Sequence, residues 1–469
     1  MKKIISLLLV LVLILGLCAC GESGEKTTVG LEVGYAREKI MPTTPVPLAG
    51  YGNTSFRQSE NFLDYLYATC IAFRWGEDVV LWYTQDLINS AWYNEARAAV
   101  TKATGVPAER IMVCATHTHS APDQKSSEAS IGSYKAIYTA AMADAAVAAI
   151  ADLTPGKLYA GSTTADLNFV RHYLLADGTY GGDNFGDFTN NPIVDHAAEN
   201  DPQMVLLKVE REGDKQDILV MNWQAHPCKT GGRDTAGNLK TDISADFIAG
   251  VRDAVESQTD YLFAYFTGAA GNHNTSSRID GEAKDLDKNQ FGQELCDIAL
   301  AAIDSLQPVV GEGIKTSHVL YEAAVNHDDE DKGAEARQVQ DLWNQTGDSV
   351  AATALAKKLG LSSCHHASAI LGRPSRPQRA NMELDAVNIA GFAFVTAPIE
   401  MFSATGMYIK ENSPYENTFV CSCANGAQSY IPTTEAYEYG CYESFTSYFA
   451  KGTAELIQVE YVSMLESIQ

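Results

Sequence analysis

Seven short apolar runs constrain this chain more than any other feature: Val79 to Thr84, Arg110 to Ala115, Gln203 to Glu210, Ile218 to Ala225, Tyr261 to Thr267, Gly391 to Ala397 and Thr418 to Ala424. Each is rich in β-branched or aromatic residues, which predicts a strand. Helical periodicity occupies the intervals, at Ala91 to Thr104, Tyr134 to Leu153, Ser244 to Ser257, Asn289 to Leu306 and the carboxyl end beyond Glu443. Asp246 stands where it can start the helix that follows it. The alternation predicts an α/β fold, as one domain or two closely fused layers. The one strongly charged interruption, Asn326 to Gln338, reads as a loop and the acidic first turn of a helix running to about Leu359.

The runs end in chemistry. Asp86 follows the first, His117 and His119 the second, His226 the fourth, "GAAGNHN" the fifth, Glu400 the sixth and "NGAQSY" the seventh. In open α/β sheets ligands bind beyond the carboxyl ends of strands, so these polar termini are expected in one crevice. Continued pleating would aim His117 and His119 at one side, as a metal or acid/base pair or as a hydrogen-bonded pair in a polar loop. His117, His226 and Glu400 together make the donor set of a catalytic zinc, two imidazoles and a carboxylate with a position left for water. Asp86 and Asp123 are candidates to orient the ligand histidines. His365 and His366 read as surface or packing residues, and His273 as structural or substrate-facing.

A formal charge of -25 over 469 residues excludes nucleic acid as a partner, because a phosphate backbone demands basic patches. At the amino terminus, Lys2 and Lys3 precede the apolar run Ile4 to Leu15, the order of an export signal. Leu17, Cys18, Ala19 and Cys20 resemble a bacterial lipobox, which implies cleavage before Cys20 and its lipidation. The expected organisation is therefore a signal over residues 1–19, lipidated Cys20 and a tether over 20–30, and one domain over 31–469. That architecture anchors the protein to the outer face of a bacterial cell membrane. Eight further cysteines could pair there, in a connectivity that spacing does not reveal.

In order along the chain, "VGYAREKIMPTTPVPLAGYG", "THTHSAPD", "LNFVRHY", "ILVMNWQAHP", "APIEMFSATG" and "ANGAQSYIPTTEAYEYGCYE" resemble the motifs of the neutral/alkaline non-lysosomal ceramidases, a family of zinc amidohydrolases. The resemblance implies mixed sheets flanked by helices, without that family's carboxyl-terminal β-sandwich. It implies Zn2+ held by His117, His226, Glu400 and Tyr430. His119 would act on the bound water or the leaving group, Arg171 would hold an oxyanion or substrate oxygen, and Tyr442 would face the substrate.

One departure bears on substrate. The family's "GDVSPN" loop carries an active-centre serine, and "AAGNHNTSS" puts Asn274 at that position and Asn272 at its aspartate. An asparagine orients a water or a carbonyl and cannot be a nucleophile. The expected activity is hydrolysis of a C–N amide bond, in ceramide or another N-acyl lipid, by zinc-bound water. The alternatives are a hydrolase of other amides or esters, and a non-catalytic metal-containing binding lipoprotein.

Overall fold

The computed structural model describes residues 30–51, 57–183 and 185–469. Cys20, its lipobox and the signal lie outside the described residues. A nine-stranded sheet runs in the order Leu262–Thr267, Ile218–Trp223, Gln203–Arg211, Thr154–Thr164, Glu32–Lys39, Tyr67–Trp75, Asp78–Gln85, Ile111–Ala115, with Gln307–Pro308 paired onto Thr154–Thr164. A second, four-stranded sheet runs Ile314–Ala324, Arg379–Ile389, Phe392–Thr396, Thr418–Cys421.

Side-chain alternation explains how these sheets stack. Phe73, Val80, Trp82, Val205, Val220 and Phe266 point from the large sheet into a layer shared with Val387, Phe394 and Phe419 of the small one. From the same strands, Leu81 and Tyr83 point the other way, onto Tyr134, Tyr138 and Met142 of helix Ala129–Ala151. Likewise Leu219, Trp223, Phe263 and Tyr265 meet helices Phe247–Gln258 and Lys288–Ala302 through Phe247, Val251, Phe291 and Leu295. The outer face of the small sheet, with Leu384, Val395 and Val420, is covered by helix Thr453–Ser467 through Ile457, Tyr461 and Leu465. The result is four layers, helix on sheet on sheet on helix.

The large sheet is antiparallel except at its two edges, where Asp78–Gln85 pairs parallel with Ile111–Ala115 and Ile218–Trp223 with Leu262–Thr267. Each parallel pair needs a crossover, supplied by helices Tyr93–Thr104 and Phe247–Gln258. The edges then return toward each other: Thr84 Oγ1 donates to Tyr265 O (2.6 Å) and Thr267 Oγ1 to Thr116 O (2.8 Å). Between them runs the chain leaving the small sheet, where Ser422 N donates to Thr267 O (3.0 Å) and Ala115 N to Cys423 O (3.2 Å).

One expectation is corrected. The acidic helix is two, Gly333–Thr346 and Ser349–Lys358, because Gly347 turns left-handed (φ 66°) and Asp348 caps the second through its side chain. His365 and His366 lie in helix Cys364–Gly372, which joins those two helices around Trp343, Leu361 and Ile370. Asp246 does start its helix, accepting from Phe247 N and also from Thr230 N (2.7 Å). All eight cysteines of the described residues are free thiols.

Candidate metal centre

His117 reaches its position through a backbone turn and not through continued pleating. The strand ends at Ala115, and His117 adopts φ 68°, held by its N–H to Leu87 O (2.9 Å). His119 N donates to Pro227 O (3.2 Å), fastening this loop to the one carrying His226. His226 follows the Ile218–Trp223 strand and donates its own N–H to His273 O (3.0 Å). Glu400 and Tyr430 are paired in a two-residue parallel bridge beyond the small sheet. Strand ends from both sheets thus meet, with His117–His226 ring centroids 4.7 Å apart and His119–His226 5.4 Å.

The hydrogen bonds fix the tautomers. His117 Nδ1 faces Ile88 O (2.6 Å), and His226 Nδ1 faces Ala270 O (2.9 Å) and His273 O (3.0 Å). A carbonyl only accepts, so in the neutral rings the proton sits on Nδ1 and Nε2 is a bare lone pair. Both Nε2 atoms lie 3.2 Å from Glu400 Oε2, and His119 Nε2 lies 3.4 Å from His117 Nε2. With the rings neutral, acceptors converge without a donor between them, and ligand atoms of His117, His119 and His226 all lie within 4.8 Å of one another. This donor set fits a divalent cation. His119, expected beside the metal, has its ring nitrogen among those ligand atoms, while its Nδ1 is buried without a partner.

Charge is distributed unevenly over the cluster. Burial, reinforced by Arg171, lowers His226 to about 4, and burial with His117 and His226 holds His119 well below the usual imidazole range. Burial opposes a charge on His117 as well, but Cys423 and Glu400 lift its pKa well above that range. Burial also opposes ionisation of Glu400, yet His117 and His226 keep its carboxyl well below the ordinary value. Burial and Glu400 keep the proton on Tyr430, whose ring lies 6.4 Å from that of His226.

Arg171 stands over the Tyr430 ring, 5.6 Å from its centroid. It is nearly buried and fixed on three sides: Nε donates to Glu443 Oε1 (2.7 Å), Nη2 to the same oxygen (2.5 Å) and to Gly271 O (3.0 Å). Glu443 Oε2 is 2.8 Å from His172 Nε2, and His172 Nδ1 is 2.8 Å from Tyr439 OH. Burial works against the Glu443 charge, but Arg171 and His172 depress its pKa far below the carboxylate range. The sequence reading missed Glu443 and His172, although each is the immediate neighbour of a residue it singled out. Because Glu443 is committed to Arg171, the cluster His172, Cys441 and Glu443 has no carboxylate free for a metal.

A cleft of about 420 Å³ opens on this side of the cluster, lined by Tyr51, His119, Arg171, Asn274, Tyr430 and Tyr442. Trp343 and His365 close its outer wall, so His365 faces the cleft. His366 is buried against Phe445, 4.8 Å between ring centroids, with Nε2 3.2 Å from Asp329, which is the packing role expected of it. Asn274 is half-buried and donates to Asp183 Oδ2 (3.3 Å), whereas Asn272 is buried and bonded to both N and Oγ of Ser403. His273 is buried and faces Asp201 N (3.3 Å), a structural position. The two carboxylates expected to orient histidines do not. Asp86 pairs with Arg252 (2.8 Å), Asp123 caps a surface turn, and backbone carbonyls orient the rings instead.

No protein-family model matches this chain, and no curated protein matches it by sequence. Among solved structures, neutral ceramidase from Pseudomonas aeruginosa is similar with a TM-score of 0.68 and 17% identity, over 93% of this chain and 74% of that one. A ceramidase complexed with C2 gives 0.67 and 18%, over 93% and 75%. The mixed α/β fold is therefore the one those ceramidases have.

Proposed function

We propose that residues 31–469 form one metal-dependent hydrolase domain that cleaves an amide bond, exported and anchored to the outer face of the cell membrane through lipidated Cys20. The carrying observation is the convergence of His117 Nε2 and His226 Nε2 on Glu400 Oε2 beside a buried, permanently charged Arg171. His117, His226 and Glu400 would hold Zn2+, with Tyr430 completing the set. Bound there, zinc supplies a Lewis acid toward a carbonyl oxygen and makes a water acidic near neutral pH.

The chain's own residues do the rest. His119 lines the cleft beside the cluster, where its ring would relay a proton to the departing amine. Arg171, immobilised by Glu443 and Gly271 O, presents a fixed cation to developing oxyanion charge. Asn274 and Tyr442 offer hydrogen bonds from the cleft wall to a substrate carbonyl or hydroxyl. The substrate is ceramide or another N-acyl lipid, or a smaller amide or ester. A second reading, a metal-containing binding lipoprotein, is favoured by Asn274, which leaves that position without a nucleophile.

Elemental analysis of a form beginning at Gly21 tests the centre. About one zinc per chain is expected, lost in His117→Ala and Glu400→Ala. His119→Ala then separates roles: retained zinc with turnover of an N-acyl amide reduced roughly 100-fold identifies a proton carrier. Loss of zinc makes His119 a ligand, and unchanged turnover removes it from the chemistry. A zinc-free, folded wild type leaves the hydrolase reading without support.

A further inference from the structure

The metal cluster is a partition between two cavities. His119, Arg171 and Tyr430 face the cleft described above, whereas His117 and Glu400 face a second cavity of about 430 Å³ on the other side. Its wall is apolar along Ile88, Pro398 and Ile399. Part of it is the segment Cys423 to Ser429, in which Cys423, Asn425 and Ser429 all take positive φ.

Two cations line this second cavity, Arg376 and Lys125. Neither has a carboxylate partner among the described residues, although the chain carries 59 acidic and 34 basic residues. Lys125 Nζ is exposed and donates only to Ala427 O (3.1 Å). Arg376 stacks over Tyr448, 4.9 Å from the ring centroid, and its Nη1 is buried with no hydrogen-bond partner. A guanidinium at a cavity wall with no carboxylate partner is a planar donor for an anion.

We propose that this second cavity binds a small monocarboxylate with a short apolar tail, the carboxylate held by Arg376 and Lys125 and the tail against Ile88, Pro398 and Ile399. The planar guanidinium matches a carboxylate, and the apolar wall distinguishes such a ligand from inorganic anions. Amide hydrolysis releases a carboxylate, so under the hydrolase reading the cavity is a place for the acid product or for feedback by it. Binding is measured without turnover and stands or falls separately from that reading.

Hexanoate titrated calorimetrically into the purified protein is expected to bind one site. Acetate, with the same head and no tail, should bind at least about threefold more weakly, and hexylamine should not bind at all. Arg376→Gln should weaken hexanoate about tenfold. Lys125→Gln, at an exposed position that leaves the fold intact, should weaken it about threefold. No hexanoate binding to wild type overturns the proposal. So does wild-type affinity in the two variants, which would put the acid at the metal from the front cleft. Acetate equal to hexanoate removes the tail site and overturns it as stated.

Discussion

Glu443 shows what one buried carboxylate does in this molecule. Its side chain is 1% exposed and serves Arg171 with one oxygen and His172 with the other. Replacing it as Glu443→Gln keeps the shape and removes the charge, leaving Arg171 a buried cation without a counter-ion. The expected loss is about 3 kcal/mol of unfolding free energy in urea. Histidines set the response to acid. Burial lowers His273 to about 3, and burial with Arg373 lowers His366 to about 4. In the unfolded chain both return to the ordinary imidazole value of 6.5, so below that pH the unfolded state binds more protons than the folded one. Their neutral burial is fully tolerated above pH 6.5, and stability falls as pH drops toward 4. Thermal melting should shift down through that interval, and less steeply in His366→Gln; equal slopes in the two proteins would remove His366 from the acid response.

At the scale of elements, the site depends on one close approach. Gly271 lies against the Glu400 bridge so tightly that a Cβ would sit 2.6 Å from Glu400 O and 2.9 Å from Met401 O. Both are backbone atoms and cannot swing aside, so Gly271→Ala must push the Glu400 segment away from the histidines. Metal affinity should fall at least about tenfold with the fold retained, because displaced ligands are expensive. Gly132→Ala, with nothing within 4 Å, is the matched control and should leave metal affinity unchanged. The elements that position these ligands were legible because they are buried on both faces: Val79 to Thr84 and Ile218 to Trp223 read as apolar runs. Ile314–Ala324 was not, since it is an edge strand whose exposed face carries His318, Leu320 and Glu322. Thr154–Thr164 hides for a similar reason, with Pro155, Gly156 and Gly161 interrupting its alternation. Within the site, His117, His226 and Glu400 were legible as strand-end residues. The orienting carbonyls of Ile88, Ala270 and His273 were not, because any residue supplies a carbonyl and only the fold decides where it points.

The whole molecule ties the site to the packing of its two sheets. His117 and His226 leave the large sheet, Glu400 and Tyr430 the small one, so a cation held by all of them is a clamp across the central layer. Trp82 fills that layer, stacked 3.8 Å from Phe266 of its own sheet and 4.1 Å from Phe394 of the other. Removing it as Trp82→Ala should cost about 3 to 5 kcal/mol, read from urea unfolding. The same cavity lets the sheets shift, so metal affinity should weaken in parallel although Trp82 touches none of the proposed ligands. Linkage requires the converse. A metal bound only to the folded chain stabilises it by about 4 kcal/mol when present at a thousand times its dissociation constant. Chelation should therefore lower Tm in the wild type, and readdition of zinc should restore it in proportion to the logarithm of its concentration. In Glu400→Ala, where the clamp is broken at one sheet, chelator and zinc should leave Tm almost unmoved. If the two proteins respond equally, the cation binds elsewhere and the two sheets hold together by packing alone.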